Sequence, residues 1–529
     1  MERGAARQIA AQLGQASAGD SPLSNEERQS AIASGVTRFL HGYLSRAGDR
    51  LRLRADLEDA AGLQFNRWAE SAGPVTAGLL PLADDVARQL DPAAHRSGTK
   101  NETALKAYVA GLNTSDPSTA IESLNRAITA DPDFGQAYLT LVQLSLSAHD
   151  SASAERYLGL ARARGEAISP VDRARIDVAA AELSGNSDAL AKALAALSRV
   201  TPADLNLLRN LANTELAARH YGPAIEYFTK ALALNPGDPA TLNSLGYTYA
   251  YSGDLDRAVQ SLREYERLLP SNANPLDSLG EVHFYRGRFA ESEKFYRQAY
   301  EKNPAFLNAS PLIRAAYARL MTGDVSGAEN IFAEYEAARR AAGDPVIEMT
   351  RARWDYLRGE KGSAIRRLQS FASTSGARTV AGVVDCTLTV WLLESGDAAA
   401  AAQHSACAFL TDKNASSFPN PLMRAYTLLF AKDYEQAVIV LREVLAHTPT
   451  SPTDPTPALL AWALVETGHF EEADKYLQNT PTPSALQPDP FEILIYPRIF
   501  HLRAVVAEKK GDRAEAEKNA QVYQKLSKQ

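Results

Sequence analysis

Several things are scarce in this chain of 529 residues, and each absence narrows the reading. Two cysteines do not make a disulfide framework. No apolar run approaches the ~20 residues of a membrane span. The opening segment, MERGAARQIAAQLGQ, lacks the apolar core of a secretory signal. The expected protein is soluble and not inserted in a membrane. It is expected to be cytoplasmic, or extracytoplasmic if the chain is the C-terminal part of a longer membrane-tethered protein. A basic excess is also missing: 56 Lys and Arg stand against 63 Asp and Glu, for a net charge of −7. That argues against nucleic acid as the partner, because phosphate binding needs a concentrated basic surface. The nine histidines show no HExxH spacing, and no GxSxG, Walker-type loop or dinucleotide glycine fingerprint occurs. No catalytic residue, metal ligand or cofactor is expected, and the chain reads as no enzyme.

What is present is a period. One window runs Leu211, Ala212, Tyr221, Ala224, Phe228, Ala231, Pro236. The next, 34 residues on, runs Leu245, Gly246, Gly253, Ala258, Leu262, Tyr265, Pro270. The third runs Leu279, Gly280, Gly287, Phe289, Tyr296, Ala299, Pro304. A mid-helix Gly costs about 1 kcal/mol against Ala, which makes sense where two helix backbones approach closely. Gly253 and Gly287 end first helices, and the prolines stop second helices. This is the tetratricopeptide period: stacked helical hairpins, none able to bury its apolar face alone. Fainter copies extend both ways, for about twelve units from Asn101 to Leu526. The expected fold is mainly α, a right-handed α-solenoid of about twelve hairpins at 101–529 preceded by a small α/β domain at 1–95.

Residues 1–95 do not carry the repeat. Arg50 to Glu58 alternate charged and apolar, as a half-buried strand does. VTRFLHGYLS at 36–45 reads as a preceding strand, Ala47-Gly48-Asp49 as the turn, and Leu63 to Trp68 as a third strand. Leu79, Leu82, Val86 and Leu90 lie on one face of a helix over 75–90. Ala6, Ile9 and Leu13 predict a helix at the N-terminus, and Asn25 caps another before Val36. Arg46, Arg50, Arg52 and Arg54 share a strand surface with Asp56 and Glu58, and the expectation is a solvated face.

The run GYLSRAGDRLRLRADLEDAAG, then Phe65 and Trp68, then LADDVARQL, then Tyr108 and the first repeat, resembles the TolB-like module joined to tetratricopeptide repeats. In that family the pairing follows a kinase, winged-helix or cyclase domain in bacterial multidomain regulators. The resemblance implies a sensory or partner-binding module. The family's module opens with a hydrophobic strand that this sequence lacks ahead of its first helix, so an unpaired sheet edge is expected. No kinase HRD or DFG occurs, so the resemblance implies no such activity here.

Cys386 and Cys407 fall on the two expected helices of one repeat. A disulfide is geometrically possible if the β-carbons come within about 4.5 Å, but two separate small buried thiols are the preferred expectation. His404 adds a third, weaker reading, a metal site with the two cysteines.

The partner site is expected in the groove lined by first helices. Inward positions are Arg209 and Asn213; Asn243, Tyr247 and Tyr251; Asp277, Glu281 and Tyr285; and Tyr317. Asn and Tyr can hydrogen-bond an extended peptide and stack on its side chains. A clamp for a C-terminal carboxylate is rejected, because Asn274 and Ser278 stand where its cations belong and Asp277 and Glu281 would repel the anion. The expected partner is a protein or a neutral or basic peptide. The alternative is a structural subunit self-associating by end-to-end stacking, favoured if Val522, Tyr523 and Leu526 of the final helix are exposed.

Overall fold

The computed structural model describes residues 38–59, 65–92, 94, 98–404, 406–411, 418–447, 452–478, 480–482 and 490–527. The helices expected before residue 36, and the first residues of the expected third strand, lie outside them. The chain divides into two compact units, Met1–Asp204 and Leu205–Gln529.

The first unit opens with strands β1 (Arg38–Ala47), β2 (Arg50–Asp59) and β3 (Phe65–Pro74), paired antiparallel in the order β1-β2-β3. Gly48, at φ +63°, turns the β1–β2 hairpin. The register sets Gly42, Ala55 and Ala69 side by side on one face. Helix α1 (Leu80–Leu90) covers that face with Val86, while Leu82 fills the space left by Gly73. β3 runs beyond the expected Trp68, because Ser71, Ala72 and Gly73 continue the ladder with Leu53, Arg52 and Leu51. The opposite face departs from the solvated surface expected for it. Asp56 and Glu58 are buried, and they have partners: Arg54 Nε donates to Asp56 at 2.8 Å, and the His41 ring lies 2.8 Å from Glu58. Buried carboxyls are tolerated in such company.

Three hairpins follow in this unit: α2 (Glu102–Leu112) with α3 (Pro117–Ala130), α4 (Gly135–Ser147) with α5 (Ser151–Ala163), and α6 (Pro170–Ser184) with α7 (Ser187–Val200). Side-chain caps start many of these helices. Asn101, Asp116, Asp150, Ser169 and Asn186 each accept a backbone N–H of the following first turn.

The second unit continues the pattern with α8 (Leu205–Ala217) and α9 (Tyr221–Leu234), α10 (Pro239–Ser252) and α11 (Leu255–Leu268), α12 (Asn274–Tyr285) and α13 (Phe289–Lys302). After these come α14 (Ser310–Met321) and α15 (Val325–Ala341), α16 (Ile347–Leu357) and α17 (Lys361–Ala372), α18 (Ala381–Glu394) and α19 (Ala398–Ala401). The last three pairs are α20 (Pro421–Phe430) and α21 (Tyr434–His447), α22 (Thr456–Glu466) and α23 (Phe470–Gln478), α24 (Arg498–Lys510) and α25 (Arg513–Ser527). The glycine argument holds at the helix crossings. A β-carbon on Gly246 would sit 2.7 Å from Leu262, and one on Gly280 2.7 Å from the Tyr296 ring. Only hydrogen fits there, so the two helices of each pair close on each other.

The pair α18/α19 is the irregular one. Its second helix is four residues long, and Cys407 lies in a turn beyond it. Cys386 and Cys407 are joined by a disulfide, with Cα atoms 5.0 Å apart. This corrects the expectation of two separate thiols. The short helix lets the chain fold straight back, which a full-length second helix would prevent. Asp385 holds the same return, accepting from the Ala406 N–H at 2.6 Å and lying 2.6 Å from His404 Nδ1. Against the expectation that no apolar run approaches such a length, the Ser375–Glu394 stretch is 20 residues long with mean hydropathy 1.2, long and apolar enough to cross a membrane by length and composition alone. Half of it is buried, with Leu388, Val390 and Trp391 in the core between hairpins.

At the end of the unit, Leu526 is buried and Val522 and Tyr523 pack against the core. The Lys525 stem lies beside Gly323, just past the end of α14. The apolar residues of the final helix therefore face inward.

Candidate partner site on the first helices

The 34-residue period brings four expected site residues together. Glu281 of α12 sits one repeat after Tyr247 of α10 and one turn before Tyr285. The Tyr247 hydroxyl donates to one Glu281 oxygen at 2.6 Å, and the Tyr285 hydroxyl donates to the other at 2.6 Å. Tyr251 lies between them, its ring centroid 6.1 Å from that of Tyr247 and 5.7 Å from that of Tyr285. Tyr221 of α9 extends the row, 6.4 Å from Tyr251. Burial and the facing Glu281 push the Tyr247 and Tyr285 phenols well above their ordinary range, so they stay protonated as donors.

A cation that the sequence reading overlooked completes the cluster. Arg314 of α14 donates to Asp277 at 2.6 Å and lies 3.8 Å from Glu281. Two carboxyl groups thus share one guanidinium. Burial raises the Asp277 pKa to about 6, against the pull of Arg314 and with the push of Glu281. Its second oxygen is buried without a hydrogen-bond partner. Burial works against the Arg314 charge, but Asp277 and Glu281 outweigh it and hold its pKa above the usual guanidinium range. The acidic pair is therefore partly compensated from within. Arg314 stands 37 residues after Asp277, off the 34-residue register, because the connection before α14 carries a 3-10 turn at Phe306–Ala309.

The remaining expected residues divide. Asn213 is exposed on α8, and Arg209 is half-buried 3.7 Å from Asp238. Asn243 is half-buried, with its side-chain oxygen enclosed and unpartnered. Tyr285 is only 8% exposed. Tyr317 is a core residue at 1% exposure, stacked on Phe284 at 5.3 Å and against Tyr496 at 5.5 Å. Its ring faces a later part of its own chain rather than a groove.

That later part is the second feature missed by sequence. Thr480, Pro481 and Thr482 are buried, and the Thr482 N–H donates to the carbonyl of Tyr285 at 3.2 Å. Arg503 of α24 donates to the Thr480 carbonyl at 2.6 Å. Burial, with Arg286 nearby, lowers the Arg503 pKa to about 10. Phe491 stacks on Tyr426 at 4.1 Å, and Leu494, Ile495 and Tyr496 join the core. The chain thus straps the inner side of α12, α14 and α16 with its own segment. The proline spacing of 479–490 marks an irregular stretch, but nothing local to it says where it docks.

A family profile described as "Tetratricopeptide repeat" matches residues 178–239, 209–273 and 243–306. Among curated proteins, the chain is 27% identical over 131 residues to small glutamine-rich tetratricopeptide repeat-containing protein 2 of Mycosarcoma maydis. That match covers 25% of this chain and only 37% of the relative. Among solved structures, MamA is 18% identical with a TM-score of 0.29, over 32% of this chain and 92% of that one. YrrB, described as a TPR protein with an unusual peptide-binding site, is 16% identical with a TM-score of 0.32, over 38% of this chain and 99% of that one. Residues 178–306 thus match the tetratricopeptide-repeat profile, and they lie within a longer series of helical hairpins.

Proposed function

We propose that this chain is a non-enzymatic partner-binding scaffold that receives an extended protein segment along α8 and α10, beside the strapped α12. The observation that carries the reading is the row of tyrosines from two neighbouring repeats, Tyr221 of α9 with Tyr251 and Tyr247 of α10, beside exposed Asn213 and half-buried Arg209. Rigid aromatics with a polar tip supply contact area at low entropic cost. Arg314 offsets part of the Asp277 and Glu281 charge from within, which favours a neutral peptide over a strongly basic one. The three-stranded meander, its following helix and the repeats behind them support a place as the sensory or partner-binding arm of a bacterial signalling regulator. The Cys386–Cys407 bond favours an oxidising compartment over the cytoplasm.

The test is fluorescence polarisation of the full chain against a set of neutral, basic and acidic ten-residue peptides. Neutral peptides should bind best. Asn213→Ala combined with Tyr251→Ala should weaken that binding by about tenfold, or ~1.4 kcal/mol, in a protein that is less stable but still folded. Unchanged affinity in the folded double variant would move the site off these helices.

A further inference from the structure

We infer that the unit Leu205–Gln529 also holds a chamber that takes a small, uncharged, largely apolar molecule. The chamber has a volume of about 570 Å³, within the roughly 300–1,000 Å³ of small-molecule sites. Its walls are Ile313 of α14, Tyr335 of α15, and Met349, Trp354 and Leu357 of α16. Its roof is Pro455, Pro481, Thr482 and Ile495, from a part of the chain roughly a hundred residues or more later. The roof is anchored at both sides, by Thr482 to the Tyr285 carbonyl and by Arg503 to the Thr480 carbonyl. An extended peptide would have to displace this strap, whereas a small molecule fits beneath it. The site does not rest on the peptide surface proposed above, although Glu281 lines the chamber and also accepts from Tyr247 of that surface.

Charge bookkeeping fixes the ligand class. The lining arginines are Arg314, Arg339 and Arg353, and the lining acids are Glu281, Asp344, Asp454 and Glu492. Arg314 is engaged by Asp277 and Glu281, and Arg339 lies 2.9 Å from Asp344. With four acids on the wall and two of the three arginines already engaged, an anionic ligand would shed its water without gaining a counter-charge, which is costly. A neutral one keeps the aromatic and aliphatic contact, and Ser310 and Thr350 at the wall offer hydroxyls to a polar group. The Trp354 indole N–H is already committed to Glu329 at 2.8 Å and its ring stacks on Phe332 at 4.7 Å, so it presents the ligand with a fixed surface.

The probe is the neutral fluorophore N-phenyl-1-naphthylamine, titrated into the full chain. Saturable one-to-one binding with energy transfer from tryptophan is expected. Trp354→Phe should remove most of that transfer and leave the affinity nearly unchanged. Thr350→Trp, at a half-buried wall position, should fill the chamber and weaken binding by about tenfold or more, with an unaltered melt. If that variant does not fold, Ser310→Trp carries the same expectation. Enhancement that never saturates, or saturable binding untouched by a folded chamber-filling variant, overturns the site. Equal binding of the anionic 8-anilinonaphthalene-1-sulfonate, blocked by the same variant, overturns the uncharged ligand.

Discussion

At Asp277 the fold changes what a single carboxyl does. Its pKa moves from the ordinary 3.8 to about 6, chiefly because burial disfavours the charge, with Arg314 opposing and Glu281 adding. The folded chain therefore binds this proton more tightly than the unfolded one. The stabilising contribution is complete below pH 3.8 and is lost as the pH rises through about 6. At 1.36 kcal/mol per tenfold, the change is about 2–3 kcal/mol. Asp277→Asn cannot ionise, so the stability of the parent chain relative to this variant should fall between pH 4 and 7. Denaturant melts of both proteins across that range check it, and parallel pH profiles would refute it. The sequence placed Asp277, Glu281 and Tyr285 at inward positions, since the period alone assigns them a helix face. It did not pair them with Arg314, because a four-residue 3-10 turn shifts α14 out of register. Nor did it bury Tyr317, whose covering partner Tyr496 lies far along the chain.

Among the elements, α18 and α19 show what replaces a missing helix. The regular hairpins bury small residues where two long helices cross, as Gly246 and Gly280 do. With α19 only four residues long, that crossing is unavailable, and a covalent bond and the Asp385 clamp hold the return instead. Closing a loop of 21 residues restricts the unfolded chain by about 3 kcal/mol. Reductant should thus lower the unfolding free energy of the parent by about 2–4 kcal/mol and leave a Cys386→Ala, Cys407→Ala variant unmoved. Parent melts that are identical with and without reductant would show the bond contributes nothing. The alternating charges of β2 and the Gly-Asp turn located the β1–β2 hairpin to within a residue or two. The truncation of α19 was not legible, because Ala398–Ala401 and the alanines after it read as good helix; what ends the helix is the geometry that Cys386 and Asp385 impose from the facing element.

For the whole molecule, the division at Asp204 and Leu205 gives each unit its own buried interior. Unfolding in denaturant should show two transitions by circular dichroism. Tryptophan emission should follow mainly the later unit, which holds Trp354, Trp391 and Trp462, while Trp68 alone reports on the first. One coincident transition by both probes would mean the units unfold as one body. Reductant should shift only the transition of the unit that carries the disulfide.

The strap over α12 also sets an order on biosynthesis. Roughly 200 residues of chain separate Tyr285 from Thr482, and a ribosome adding about 5–20 residues per second needs some 10–40 seconds to supply them. Until then Tyr317, already stacked on Phe284, lacks its cover of Tyr496, and the apolar wall of α14 and α16 lacks the strap, although their own hairpins can already form. The nascent chain thus presents a greasy, half-finished surface late in translation, a natural stopping place for a chaperone, and a premature stop codon before Pro481 would leave it there for good.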